Sequence, residues 1–211
     1  MKIKLAVLFG GRSVEHEVSV ISALQAMENL NADKYDIIPV YIGKNGEMYT
    51  GEALRNMDEY KNIPELIKKS IPVNFVIRDS KTMLVRKYAK KFGNNDITEV
   101  EVALPVVHGT NVEDGALQGY LRTLGLPFAG CDVLASAVGM DKYVMKAMLR
   151  DGGFPVLDSV RFRRSAYIDK DAVIAKIEEK VAYPVIVKPV NLGSSVGISK
   201  ASDRDGLVKS L

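Results

Sequence analysis

The sequence has a single cysteine and only two histidines in 211 residues. One thiol, Cys131, excludes a disulfide within the chain. With so few sulfur and imidazole donors, a Cys/His zinc site has too few ligands. This usage suits a reducing, cytoplasmic setting. Long apolar runs are also missing, and none approaches the roughly 20 residues of a membrane-spanning helix. The N-terminal run MKIKLAVLFGG breaks at Gly10-Gly11-Arg12 rather than at a small-residue cleavage site, so it reads as a first strand and not a signal peptide. An excess of one charge is lacking too. Twenty-nine basic residues oppose 26 acidic ones, for a formal +3, which gives no footprint for nucleic acid. The densest basic stretch, Arg86 to Lys91, runs into Gly93-Asn94-Asn95 and reads as a solvated turn between strands. Neither G-x-G-x-x-G nor the Walker pattern G-x-x-x-x-G-K-[ST] occurs, and the His that H-E-x-x-H needs at position 20 is Val20.

What is present is an ordinary globular composition, 47% hydrophobic and 26% charged, with length for one large or two small domains. Ile3 to Phe9 is a continuous apolar run, the pattern of a strand buried on both faces. From about Ser19, Val20, Ile21, Leu24, Met27 and Leu30 recur at helical spacing. A second strand is expected over 37–42, followed by an Asn-Gly turn at Lys44-Asn45-Gly46. Strand, helix and strand at this spacing form a βαβ unit, which predicts a parallel sheet. A short helix within 52–72, a hairpin of strands near 73–77 and 82–86, a buried strand over 100–107 and a helix over 115–124 follow. Asp114 stands near the start of that last helix, where a carboxylate suits the free N–H groups. A domain boundary is placed near residue 131. Beyond it the pattern predicts helices over 133–140 and from Asp141-Lys142 to Gly152-Gly153, a strand over 156–163, and a helix over 170–181. Strands over 183–189 and 196–201 come next, then a helix capped by Ser202. The chain stops inside that helix, so a piece of a longer protein is expected.

Two clusters carry chemistry. Glu15-His16-Glu17 follows the first buried strand, and His108-Gly109, with Glu113-Asp114-Gly115 shortly after, follows another. The C-terminal ends of such strands are where open α/β sheets bind ligands, so the pair points to a polar-ligand site. The plain alternative is a set of solvated charges ahead of a helix. The second cluster is the loop after VIVKP. Gly193-Ser194-Ser195-Val196-Gly197 fits G-x-S-x-G, the pattern of a hydrolase elbow. An elbow requires a helix after the turn and a His downstream. Here a strand is expected, and His16 and His108 both lie upstream. The same loop, rich in N–H and hydroxyl donors, suits a phosphate when cations stand beside it. Lys188 and Lys142 supply two, although a lone Lys in an apolar strand can also simply reach solvent along its stem.

The stretches LFGGRSVEHEVSVISA (8–23), HGTNVEDGALQGYLRTLGLPFAG (108–130), MDKYVMK (140–146), YPVIVKP (183–189) and NLGSSVGISK (191–200) together resemble the D-alanine–D-alanine ligases, enzymes of the ATP-grasp type. The resemblance spans all but about 45–100. It implies an α/β fold: an N-terminal parallel-sheet, Rossmann-like domain over 1–131 and a central α+β ATP-grasp subdomain over 132–211. A C-terminal ATP-grasp domain holding the Mg²⁺ carboxylates would lie beyond Leu211, so no metal ligand is expected in this chain. The implied activity joins two D-alanines through an acyl phosphate, using ATP and Mg²⁺, for peptidoglycan synthesis in the cytoplasm. The protein would be a homodimer with no nucleic-acid or membrane partner. By the resemblance, Glu15 holds the ammonium of the first D-alanine with His108 near it, and Ser194 belongs to a network closing the site. Lys142 and Lys188 bind ATP phosphates, and Gly193, Ser194, Ser195, Val196 and Gly197 form a flap over them. These 211 residues alone are expected to be inactive. Ligation of D-alanine to D-lactate or D-serine, or a non-catalytic nucleotide-binding role, are the alternatives. One position departs from the family. It commonly has Gly before Glu-Asp-Gly, where this chain has Val112. A β-branched residue does not readily take φ > 0, so a different loop is expected after His108.

Overall fold

In the computed structural model, which describes residues 1–211 apart from the side chain of Ala166, the first apolar run forms β1 (Ile3–Gly10) and leads into α1 (His16–Asn29). Then come β2 (Tyr35–Ile42), β3 (Met48–Thr50), two short 3₁₀ turns, α2 (Ile63–Lys69), β4 (Ile71–Arg78), β5 (Lys81–Arg86), β6 (Asp96–Val100), β7 (Val102–Val107) and α3 (Ala116–Thr123). The seven strands make one sheet in the order β6-β5-β4-β3-β2-β1-β7. Only its β2-β1-β7 end is parallel, and the rest is antiparallel. The βαβ unit is parallel as expected, and the expected turn after β2 and the β4–β5 hairpin add antiparallel strands, so the whole sheet is mixed. The β2–β3 and β4–β5 connections are tight turns and cannot return a strand in parallel. At the β4–β5 hairpin, Asp79 and Ser80 both take φ > 0, at 50° and 61°, the conformation two-residue hairpins require.

β1 is buried on both faces, and its alternation divides the core. Leu5, Val7 and Phe9 pack with Val20, Ala23, Leu24 and Met27 of α1 and with Leu54 and Leu66. Ala6 and Leu8 face Leu117 and Leu121 of α3, with Val112 and Leu126. Helix α1 starts three residues before the expected Ser19, and Ile21 of the expected apolar stripe is about half exposed. The basic stretch 86–91 does lie between strands, and Lys87 forms an ion pair with Glu47.

The chain divides into two compact units, Met1–Ala137 and Val138–Leu211, with α4 (Val133–Met140) crossing the division. The second unit contains α5 (Lys142–Asp151), α6 (Lys170–Lys180), β8 (Val185–Val187), β9 (Ser199–Ala201) and α7 (Arg204–Ser210). β8 and β9 pair antiparallel. Ile174, Ile177, Ala201 and Leu207 form its small core, with Val160, Phe162, Val185 and Val187 against them. The expected strand over 156–163 is not formed. Val160 and Phe162 face the core as alternation requires, but the segment has no ladder partner among the described residues. Residues 196–197 are turn and Ile198 is irregular, so the strand begins at Ser199, and the cap of α7 is Asp203, not Ser202; its carboxylate accepts from the Gly206 N–H at 2.8 Å.

Candidate functional site

The turn after β1 is built on one buried histidine. His16, 3% exposed, lies within 2.7 Å of the Gly11 carbonyl through Nδ1 and 2.9 Å from the Tyr41 hydroxyl through Nε2. A carbonyl only accepts, so in the neutral ring Nδ1 donates to it and Nε2 accepts from Tyr41. Burial pushes the Tyr41 hydroxyl up to about 12, with Glu17 adding to the shift, so it remains a donor. The three ionisable residues of this turn thus take three paths. His16 is structural. Glu17 leaves for solvent and pairs with Lys44 at 2.5 Å, which holds its carboxyl below the usual range. Glu15, at the N-cap of α1, is buried, with its Oε2 against Gly109. A helix N-terminus favours a carboxylate there. Ser19 locks the arrangement: its hydroxyl accepts from the Gly10 N–H at 2.7 Å and donates to the Val106 carbonyl at 2.6 Å. One side chain thereby joins the ends of β1, β7 and α1.

Because β1 and β7 are parallel neighbours, the loop after β7 arrives at the same sheet edge. Gly109 lies against the first turn so closely that a Cβ there would meet Ser13 Oγ at 2.2 Å and Glu15 Oε2 at 2.7 Å; its φ is +86°. Asn111 Nδ2 donates to the Arg12 carbonyl at 2.9 Å. His108 is half-buried. Its Nε2 is 3.3 Å from Ser22 Oγ, and its Nδ1 is 4.0 Å from a Glu113 oxygen. Glu113 in turn accepts from the Gly109 N–H at 2.5 Å, and Asp114 from the Asn111 N–H at 2.7 Å. Val112 is buried, and its Cγ1 fills the space a side chain on Gly11 would occupy. The left-handed positions of this loop fall on Gly109, Asn111 and Gly115. Val112 is therefore an unstrained core residue, and its bulk is matched by the missing side chain of Gly11.

In the second unit, Asp141 caps α5 by accepting from the N–H groups of Tyr143 and Val144, each at 2.9 Å. That places Lys142 at the first helical position, where its backbone N–H and its ammonium both reach the 190–192 segment. Nζ donates to the Leu192 carbonyl at 2.5 Å and approaches that of Val190 at 3.4 Å. Lys188 stands one residue past β8 and is exposed, in register with outward-facing Ile186 rather than with inward Val185 and Val187. The loop itself is tightly coiled. Ser194, Ser195 and Gly197 take φ of 46°, 59° and 69°. Val196 N–H bonds the Gly193 carbonyl and Ile198 N–H that of Ser195. The N–H groups of Ser195 and Gly197 enter no bond among the described residues. Successive left-handed residues of this kind turn amide N–H groups toward an anion, and the donors beside Lys188 fit a phosphate.

Glu15 and His108 thus meet at one sheet edge of the first unit, while Lys142, Lys188 and residues 193–197 gather around one loop of the second. The sequence reading missed the supports: Ser13, Ser19, Tyr41 and Asn111. Ser19 carries a visible signal, a hydroxyl on the buried stripe of an apolar helix. Tyr41 and Asn111 do not, since their partners lie 25 and 99 positions away, and Ser13 matters only through Gly109, far along the chain.

Residues 4–131 match the family model described as the D-ala D-ala ligase N-terminus, and residues 148–211 that of the C-terminus. A D-alanine–D-alanine ligase of Natranaerobius thermophilus is 41% identical over the whole chain, and one of Acetivibrio thermocellus 40%. The chain spans 56% and 58% of those two proteins, a little over half their length. Among solved structures, the VanG D-Ala:D-Ser ligase of Enterococcus faecalis aligns over 100% of this chain and 58% of its own, with TM-score 0.81 and 36% identity. The D-alanine-D-alanine ligase of Bacillus anthracis complexed with ATP aligns over 99% and 51%, with TM-score 0.62 and 26% identity. On its sequence, its fold and the two family models that together cover most of its length, this chain belongs to the D-alanine–D-alanine ligase family.

Proposed function

We propose that the protein carrying this chain joins D-alanine to D-alanine using ATP. The observation that carries the reading is the buried Glu15 carboxylate at the start of α1, packed against Gly109 at the ends of two parallel strands. A small amino acid offers an ammonium, and a charge-assisted contact to a desolvated carboxylate is the strong way to hold one. In this scheme the carboxylate of the first D-alanine attacks the γ-phosphate of ATP to give an acyl phosphate. The amine of the second then attacks that carbonyl and releases phosphate. Glu15 holds the first ammonium, His108 lies beside that substrate, and Ser194 belongs to the network that closes the site. Lys188, the 193–197 backbone and the Ser195 hydroxyl take phosphate oxygens. Lys142 exchanges its carbonyl partners for a phosphate oxygen. The chemistry asks positioning and charge stabilisation of the protein.

In the same reading the ligase N-terminal domain covers 1–131 and an ATP-grasp subdomain 132–211, in a cytoplasmic homodimer that supplies a peptidoglycan precursor. Magnesium, which such a reaction implies, meets no group of three carboxylate, imidazole or thiol donors among the described residues, and no step is assigned to it on this chain. A second reading, D-serine as the second substrate, rests on the likeness to the enterococcal ligase at TM-score 0.81.

The test is Glu15→Gln in the protein at the length of its relatives, followed by phosphate release with ATP and D-alanine. Loss of one charge-assisted contact, about 2 kcal/mol, should raise the KM for the first D-alanine about 30-fold. Unchanged KM and rate would remove Glu15 from this role. D-serine against D-alanine as the varied second substrate separates the two readings.

A further inference from the structure

The second unit carries a basic cavity that the ligation scheme does not use. It encloses about 370 Å³ and is lined by Tyr143, Ser159, Arg161, Arg163, Lys176 and Lys180, among others, and by none of Lys142, Lys188 or residues 193–197. Arg161 and Arg163 flank Phe162, whose ring packs toward the Ile174–Ile177–Leu207 core. Lys176 and Lys180 lie one turn apart on α6, on a single face of the helix. The Arg161 guanidinium sits 4.6 Å from the centre of the Tyr143 ring, a cation–π contact that fixes one of the four charges in place.

Nearby carboxylates do not neutralise this cluster. On α6, Asp171 and Glu178 turn to Arg204, at 3.4 and 2.5 Å, and Glu178 also accepts from the Tyr183 hydroxyl at 2.8 Å. Of the other acids adjoining these elements, Asp169 caps α6 by accepting from the Ala172 N–H at 3.0 Å, and neither it nor Asp158 nor Glu179 forms an ion pair with the four cations; no carboxylate lies within 4.0 Å of any of them among the described residues. Four like charges around one cavity repel one another. An anion with several negative oxygens converts that repulsion into attraction, and guanidinium forks suit phosphate oxygens better than point charges do. The volume falls within the range of small-ligand pockets.

We propose that this cavity is a second anion site, taking a multiply charged phosphate of the pyrophosphate class. Arg161, Arg163, Lys176 and Lys180 would share its charge, and Ser159 would offer a hydroxyl. The test titrates the ¹⁵N-labelled 211-residue chain with inorganic pyrophosphate and follows the amide resonances. Saturable shifts are expected at 159–163 and 176–180. The double variant Arg163→Gln/Lys180→Gln should bind at least ten-fold more weakly. Lys180→Gln alone, an exposed change at the end of α6, should bind about three-fold more weakly with the spectrum otherwise unchanged. Shifts confined to 191–198, shifts that do not saturate, or equal affinity in the wild type and Lys180→Gln would each overturn the assignment.

Discussion

Gly109→Ala probes the site where its two loops touch. The new Cβ would lie 2.2 Å from Ser13 Oγ and 2.7 Å from Glu15 Oε2. Real Cβ contacts stay beyond 3.0 Å, so the hydroxyl must recede by about 0.8 Å and the carboxylate oxygen by about 0.3 Å. Both are side-chain atoms and can move, so the fold survives. The backbone also holds φ = +86°, which costs an alanine about 1–2 kcal/mol. The Ser13 hydroxyl, however, accepts from the Glu15 N–H at 3.0 Å, so displacing it loosens the backbone from which the Glu15 carboxylate projects. A misplacement approaching 1 Å at a positioned group can lower a rate about 100-fold, so in the proposed ligation, assayed in the protein at the length of its relatives, a fall of about 10- to 100-fold in kcat/KM for the first D-alanine is expected. Gly93→Ala is the control. Its φ is +98°, but nothing lies within 4 Å, so it should show the backbone cost in denaturant unfolding with no change in KM. The reasoning fails if Gly109→Ala keeps the wild-type KM and rate, or if Gly93→Ala impairs catalysis equally.

Two further changes test the supports. Tyr41→Phe strands the His16 Nε2 in a buried position and should lower stability by about 1–3 kcal/mol, read as faster hydrogen exchange in β1 and α1. Because the folded Tyr41 hydroxyl ionises at about 12 rather than 10, the folded form keeps its proton longer. Its contribution is complete below about pH 10 and is lost as pH rises toward about 12. The variant should flatten that alkaline fall in stability, and an unchanged slope would refute the assignment. Asp141→Ala removes both bonds at the start of α5 and should cost about 1 kcal/mol, seen as loss of protection at Tyr143 and Val144; unchanged exchange there would show the cap to be idle.

The reach of the sequence can be seen residue by residue. β1 was legible because a run buried on both faces leaves an uninterrupted apolar signal. The helix after it was legible from Val20, Leu24 and Met27 but not from its start. Glu15-His16-Glu17 looks polar until Tyr41 and the Gly11 carbonyl bury the ring. β6 was hidden because its half-buried DITEV carries no clean alternation. The strand expected over 156–163 had the right alternation and lacked a neighbour, and alternation reports a buried face without supplying a hydrogen-bonding partner.

By itself the sequence determined the local elements, the two clusters of candidate residues and the family they resemble, because periodicity, turn chemistry and motif spacing are short-range properties of the chain. The tertiary structure alone decided that the β1 and β7 turns share one sheet edge, that His16 is a buried brace while Glu15 lies against Gly109, and that Val112 fills the space left by Gly11. Those outcomes depend on strand order and on contacts between residues as much as 101 positions apart, and no pattern local to either partner encodes such a distance.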